Sequence, residues 1–179
     1  LLLCVASLLA PLAGGDRLEL LWRYERLAVA EGQWWRLLSA HVVHLDAWHA
    51  VLNCMGLVLL WALFARSYRL TQWLLAMGLI VATIDLGFWF ISTDLQWYVG
   101  ASAALHGVFA CGCIALIRQR DRIGYAAAAV FVAKLLWEQL HGPLPLMAGH
   151  PVVTVSHAYG AVGGALAGLL LRHQGDQLY

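Results

Sequence analysis

Apolar runs of roughly the length that carries a helix across the hydrocarbon core of a bilayer recur six times along the chain, at 1–14, 47–65, 70–92, 102–117, 123–141 and 151–171. Polar positions gather between them. The longest polar interval, 15–46, balances Arg17, Arg23, Arg26 and Arg36 against Asp16, Glu19, Glu25, Glu31 and Asp46, and reads as an outer loop. Basic patches follow the second, fourth and sixth runs: Arg66 and Arg69, then Arg118, Arg120 and Arg122, then Arg172. Six spans put all three patches on one side, which the positive-inside rule makes cytoplasmic, with both termini there. The pattern predicts an all-α membrane protein, a bundle of six transmembrane helices in one domain over 1–179. The first run is short and the chain begins without Met, so either an upstream piece or a first turn within Leu1 to Leu3 is expected. A signal peptide competes for 1–14, but no basic n-region precedes the apolar stretch.

Composition agrees with the pattern. Hydrophobic residues make up 62% of the chain and charged residues 12%, and the mean hydropathy is +0.73, outside the range of soluble domains. A net charge of +1 without a basic stripe excludes a nucleic-acid footprint. Cys4, Cys54, Cys111 and Cys113 all lie in apolar runs. They read as small buried hydrophobes and not as a disulfide framework or a CxxC redox pair.

Three constellations break the apolar pattern. The fourth run rises only about 24 Å against a core of about 30 Å, so its start should lie below the membrane surface. Trp97 and Tyr98 suit the interface above it, and Gly100 and Ala101 allow close approach to Ser102. A serine at a helix N-terminus sits among backbone N–H groups that favour a developing oxyanion; an ordinary N-cap is the simpler reading, and the surrounding residues do not complete a G-x-S-x-G elbow. In the sixth run His157, Gly160, Gly164 and Gly168 share an arc of about 80° on one helix face. Small residues four apart let helices touch backbone to backbone in a membrane, so His157 should point into that contact, and an intramembrane histidine is a functional candidate by default.

At the start of the second run His49 and Asn53 stand one helical turn apart as neutral donors. A metal site built on His41, His44 and His49 is the competing reading. No HExxH occurs, and Glu138 with His141 forms only a single ExxH. Lys134 and Glu138 are ionisable groups one turn apart in the otherwise apolar fifth run, where such groups should face protein or water and pair.

The segments WWRLLSAHVVHLDAWHAVLN, GASAALHG and SHAYGAVGGALAG, in that order and over most of the chain, resemble the rhomboid intramembrane serine proteases. The matching positions are the Trp35–Arg36 pair, His49 and Asn53, Gly100 and Ser102, and His157 with Gly160 and Gly164. The compact six-span layout and the GASAALHG form look most like the rhombosortase subgroup. The sequence departs from the usual rhomboid pattern at Ala103, commonly Gly, and at His106, often Tyr, one turn after Ser102.

The resemblance implies a rhomboid-like bundle in a bacterial inner membrane, with the active site opening to the periplasm and no cofactor or metal. Ser102 would be the nucleophile and His157 the base, with His49, Asn53, Gly100 and His106 supporting the oxyanion and the site. This is a dyad, because no carboxylate stands in a motif that would orient His157; Asp85 in the third run is the remaining candidate. The substrates implied are membrane-anchored proteins bearing a C-terminal Gly-Gly motif, a hydrophobic helix and a basic tail. Lys134 and Glu138 are expected either to receive the Gly-Gly region or to form an internal ion pair. Two alternatives remain open: a catalytically inactive rhomboid-like protein that binds membrane clients, and a transporter or metal-binding membrane protein that uses the histidines.

Overall fold

A computed structural model describes residues 17–143 and 152–172. The apolar run expected at 1–14 lies outside the described residues, as does the start of the sixth. The remaining expected helices are present with ends shifted by three residues or fewer. In chain order the elements are β1 (Tyr24–Glu25), α1 (Arg26–Ala30), α2 (Arg36–Ser39), α3 (Ala47–Phe64), α4 (Leu70–Phe90), β2 (Trp97–Tyr98), α5 (Ser102–Arg118), α6 (Arg122–His141) and α7 (Thr154–Leu170); residues 17–22 are also helical. Helices α3, α4 and α6 are long and apolar enough to cross a membrane, and α5 is a shorter apolar helix. The protein is a multi-pass membrane protein, and exposed Leu75, Trp61 and Leu140 face outward from these helices.

Local chemistry sets the helix ends. Asp46 caps α3 by accepting from the His49 backbone N–H at 2.8 Å, and Asp121 caps α6 by accepting from Ile123 N–H at 2.8 Å, each satisfying a donor that a helix start leaves unpaired. The end of α4 receives the Arg26 guanidinium, which donates to the carbonyls of Phe88, Trp89 (3.3 Å), Ser92 (3.0 Å) and Leu95 (3.1 Å). A cation there meets both the free carbonyls and the negative end of the helix dipole. Arg118 does the same for α7, donating to Gly168 O at 3.1 Å and Leu171 O at 2.8 Å.

The Trp35–Arg36 pair anchors the outer loop. Arg36 is buried and donates to the carbonyls of Leu20 and Arg23, each at 2.9 Å. Trp35 Nε1–H reaches Leu21 O at 3.4 Å and Ser39 Oγ–H reaches Trp22 O at 2.6 Å. These side chains gather the carbonyls at the end of the 17–22 helix. The loop is then stitched to the approach to Ser102 by the antiparallel β1–β2 pair, in which Tyr24 faces Tyr98 and Glu25 faces Trp97.

Helix α7 lies between α4 and α5, and glycine decides how closely. A Cβ on Gly160 would stand 1.9 Å from Ala103 O, and one on Gly164 would stand 1.8 Å from Gly107 O. Gly107 returns the contact, since its own Cβ would lie 2.7 Å from Gly160 O. On the α4 side Gly163 fits against Ile80 and Thr83, while Gly87 accommodates the Tyr159 ring. Arg118 and the Gln72 amide, which donates to Arg172 O, tie together the ends of α5, α7 and α4 away from Ser102.

Gly164→Val should therefore destabilise the bundle by about 2–3 kcal/mol or more, because backbone must move to admit the side chain. Gly78→Ala should cost nothing, as no atom lies within 4 Å of the added Cβ and alanine favours a helix over glycine. Heat or detergent unfolding of both variants checks this, and equal midpoints would refute the packing account.

Candidate active site

Ser102 opens α5, where the first-turn N–H groups have no intrahelical acceptor. The turn before it depends on Gly100, whose φ of +115° suits glycine and whose Cβ, if present, would meet the His49 ring at 2.7 Å. Gly100 N–H donates to Ala40 O at 2.8 Å, and its carbonyl accepts from Tyr98 O–H at 2.7 Å. Burial pushes the Tyr98 phenol up to about 12, so it remains a donor at neutral pH.

The α5–α7 contact brings Ser102 to a residue 55 positions away: Ser102 Oγ lies 3.1 Å from His157 Nε2. His157 Nδ1 lies 2.8 Å from Glu138 Oε2 on α6. A carboxylate can only accept here, so Nδ1 carries the proton, Nε2 presents its lone pair, and Ser102 O–H donates to it. This hydrogen bond is consistent with a Ser-His dyad. Lys134 Nζ donates to the same Glu138 Oε2 at 2.7 Å, so the expected ion pair within α6 exists.

His106 stacks on His157, with ring centroids 3.9 Å apart and planes 7° from parallel. Its Nδ1–H donates to Ser102 O at 2.7 Å, and its Nε2 accepts from Lys134 Nζ. Asn53 Nδ2–H donates to His49 O at 3.1 Å within α3. Ser102, His106 and His157 of the centre border a cavity of about 480 Å³, whose walls include His49, Asn53 and Leu59 on α3 and Val130, Phe131, Lys134 and Glu138 on α6. The site is an apolar chamber with a few converging polar groups, the usual form of a small binding or catalytic pocket.

The structure differs from expectation over the carboxylate. Asp85 is engaged by His41, with Oδ1 3.3 Å from Nε2, and Glu138 contacts His157 instead. Sequence reasoning found Glu138 as an ionisable residue in an apolar helix but had no spacing signal to join it to α7. The histidines of the competing metal reading, His41, His44 and His49, do not converge as a ligand set among the described residues. Among the described residues the metal-ligand atoms that converge, within 4.8 Å, belong to His106, Glu138 and His157. His41 is with Asp85, and His44 meets His49 edge to face at 4.9 Å. The converging trio does not fit a cation, because the Lys134 ammonium already lies on the His106 and Glu138 acceptors and His157 is hydrogen-bonded to Glu138 and Ser102.

An apolar helical bundle thus brings a serine and a histidine within hydrogen-bond distance beside a largely apolar cavity. The chain belongs to the Rhomboid family: the Rhomboid domain matches residues 31–174. It is similar to the Bacillus subtilis (strain 168) protein named "Putative rhomboid protease YdcA", with 24% identity over 154 residues, covering 86% of this chain and 75% of that one. No solved structure matches the chain. Membership of this family implies membrane proteins as substrates.

His44, in the loop before α3, is held down to about 4 from its ordinary 6.5, first by burial and then by the neighbouring His49, against smaller opposing effects of the Val42 backbone and Asp46. The folded protein keeps it neutral while the unfolded chain takes up a proton below about 6.5. Its contribution to stability is thus present above that pH and is lost as pH falls towards 4. His44→Gln should flatten this part of the stability profile between pH 6.5 and 4, read by detergent unfolding; an unchanged slope would contradict it.

Proposed function

We propose that the protein is an intramembrane serine endopeptidase in which Ser102 attacks a substrate carbonyl and His157 Nε2 receives its proton, later passing it to the leaving amine. The observation that carries this reading is the Ser102–His157 hydrogen bond of 3.1 Å beside an apolar cavity. That bond also weighs against an inactive, client-binding protein. The relative named as a rhomboid protease adds the same chemistry by likeness. The tetrahedral oxyanion is assigned to the Ser102 N–H, with His49 and Asn53 as further donors.

The finer reading is that of a rhombosortase with six transmembrane helices. It would act on proteins anchored in a bacterial inner membrane by a C-terminal Gly-Gly motif, a hydrophobic helix and a basic tail. The GASAALHG string, with His106 one turn after Ser102, supports the subgroup. Paired glycines also suit the geometry, since a helix is least stable where two glycines lie together and a strand without Cβ atoms can approach the crowded turn at Gly100. The basic residues at the end of the bundle opposite Ser102 support a topology with both termini cytoplasmic and the site facing the periplasm.

Ser102→Ala and His157→Ala should each abolish cleavage of a reporter carrying such a tail, and Ser102→Ala should abolish labelling by a fluorophosphonate, with the protein still folded in the membrane. Normal processing by folded Ser102→Ala protein would end the protease reading. His49→Ala and Asn53→Ala should each lower turnover by about 10²–10³ with little change in KM, because an oxyanion donor acts mainly in the transition state. Normal turnover with an early melt would assign them to stability instead.

A further inference from the structure

Of the twenty residues of α6, two are buried: Gly124 and Glu138. A helix that otherwise shows its side chains to the surroundings buries a carboxylate to 4% exposure, which is costly unless every lone pair that leaves water finds a partner. Glu138 finds His157 Nδ1–H at 2.8 Å and Lys134 Nζ at 2.7 Å, both on Oε2. The Lys134 ammonium lies on the same helix one turn away and also reaches His106, whose ring covers one face of His157. The donor and acceptor roles along this chain are forced. His106 Nδ1–H faces the Ser102 carbonyl, so its Nε2 is the acceptor for Lys134, and Glu138 accepts from both Lys134 and His157.

We propose that Glu138 is the positioning residue of this site, which makes it a Ser102–His157–Glu138 triad, and that Lys134 and His106 hold the carboxylate and the imidazole in register. The inference rests on the protease reading above. In the first step the Ser102 Oγ bonds to the carbonyl carbon while its proton moves to His157 Nε2, and the π electrons pass to the carbonyl oxygen. In the second the carbon–nitrogen bond breaks and that proton goes to the departing amine. Water repeats the sequence on the acyl-enzyme and restores Ser102. Throughout, the Nδ1 proton stays on His157, held by Glu138, which is not protonated itself.

Two consequences follow from the geometry. The carboxylate selects the tautomer that leaves Nε2 free for serine, and it stands beside the positive charge that appears when His157 takes the proton. Lys134 and Glu138 bring no net charge into the resting site. No other carboxylate competes for this place among the described residues, since Asp85 is engaged by His41. The groups facing His157 are Ser102 and His106 of α5 and Lys134 and Glu138 of α6. The α4 residues packed on α7, including Ile80, Thr83 and Phe88, are uncharged.

The test uses the inactivation kinetics of a fluorophosphonate on the full chain in detergent micelles, because phosphonylation of Ser102 also requires the base and needs no known substrate. Glu138→Gln keeps the side chain's size but offers an amide where the carboxylate stood. It should lower the maximal inactivation rate on the order of 10⁴-fold, the loss seen when the carboxylate of a serine triad is neutralised. The half-saturating probe concentration should stay within about threefold and the melting midpoint should be kept. In Glu138→Ala, added formate should recover part of the rate, which a purely structural role would not produce. If Glu138→Gln fails to fold, Lys134→Met with Glu138→Leu, which replaces the ion pair by apolar packing, should fold and be equally slow. A maximal rate within threefold of the original in the folded variant overturns the inference. Ser102→Ala, run alongside, separates the two readings: if it is unlabelled while Glu138→Gln reacts normally, only the role of Glu138 is wrong, and if it is still labelled at this site the protease reading itself fails.

Discussion

The backbone contact between α5 and α7 is the constraint on which the rest of the structure depends. In lipid, apolar side chains gain nothing by leaving one hydrocarbon surrounding for another, so helices hold together by close packing and by hydrogen bonds. Gly160 and Gly164 let α7 approach the carbonyls of Ala103 and Gly107 until no methyl group fits between them. That closeness sets the position of His157 relative to Ser102, because both side chains project from the first turn of helices whose axes are already fixed. A looser crossing would leave the two groups present and unjoined.

Once the helices are placed, the polar groups have little freedom left. The cavity walls are largely apolar, and an unpaired polar atom there costs far more than in water. The donors and acceptors of the centre face one another, so the network settles into a single protonation pattern, from Lys134 to His106 and Glu138 and from His157 to Glu138. Precision at Ser102 is also supplied from outside the helices. Arg36 and Arg26 collect the loose carbonyls of the outer loop and of the end of α4, and the β1–β2 pair fastens that loop to Trp97 and Tyr98, three and two residues before the turn at Gly100. The Trp35–Arg36 pair thus acts at a distance, through carbonyls, on the segment that presents the serine.

Much of this was readable from the chain because the signals were periodic. Apolar runs located α3 to α7, and a four-residue glycine spacing located the face of α7 that turns inward. The same spacing implied that His157 meets another helix, and the serine at a short helix supplied the partner. What could not be read was any contact between helices without a shared period. Glu138 meets His157 across 19 positions, and its only mark in the sequence was the cost of a carboxylate in an apolar run. Asp85 bore the same mark and turned out to hold His41. An isolated charge in a span announces that a partner exists, while the partner's identity depends on helix azimuth and depth, which a single sequence does not carry.

The placement of that carboxylate ties the chemistry to the least enclosed helix of the bundle. Gly124, at the start of α6, is pressed against Leu116 and Ile117 of α5, and Glu138, about 20 Å further along at the helical rise, is fixed in the site itself. Between these two points Val130 and Phe131 form part of the cavity wall. Ser102 and His157 sit on the glycine-locked α5–α7 pair, so the helix that walls the chamber on the other side is also the one that carries the carboxylate beside His157 Nδ1.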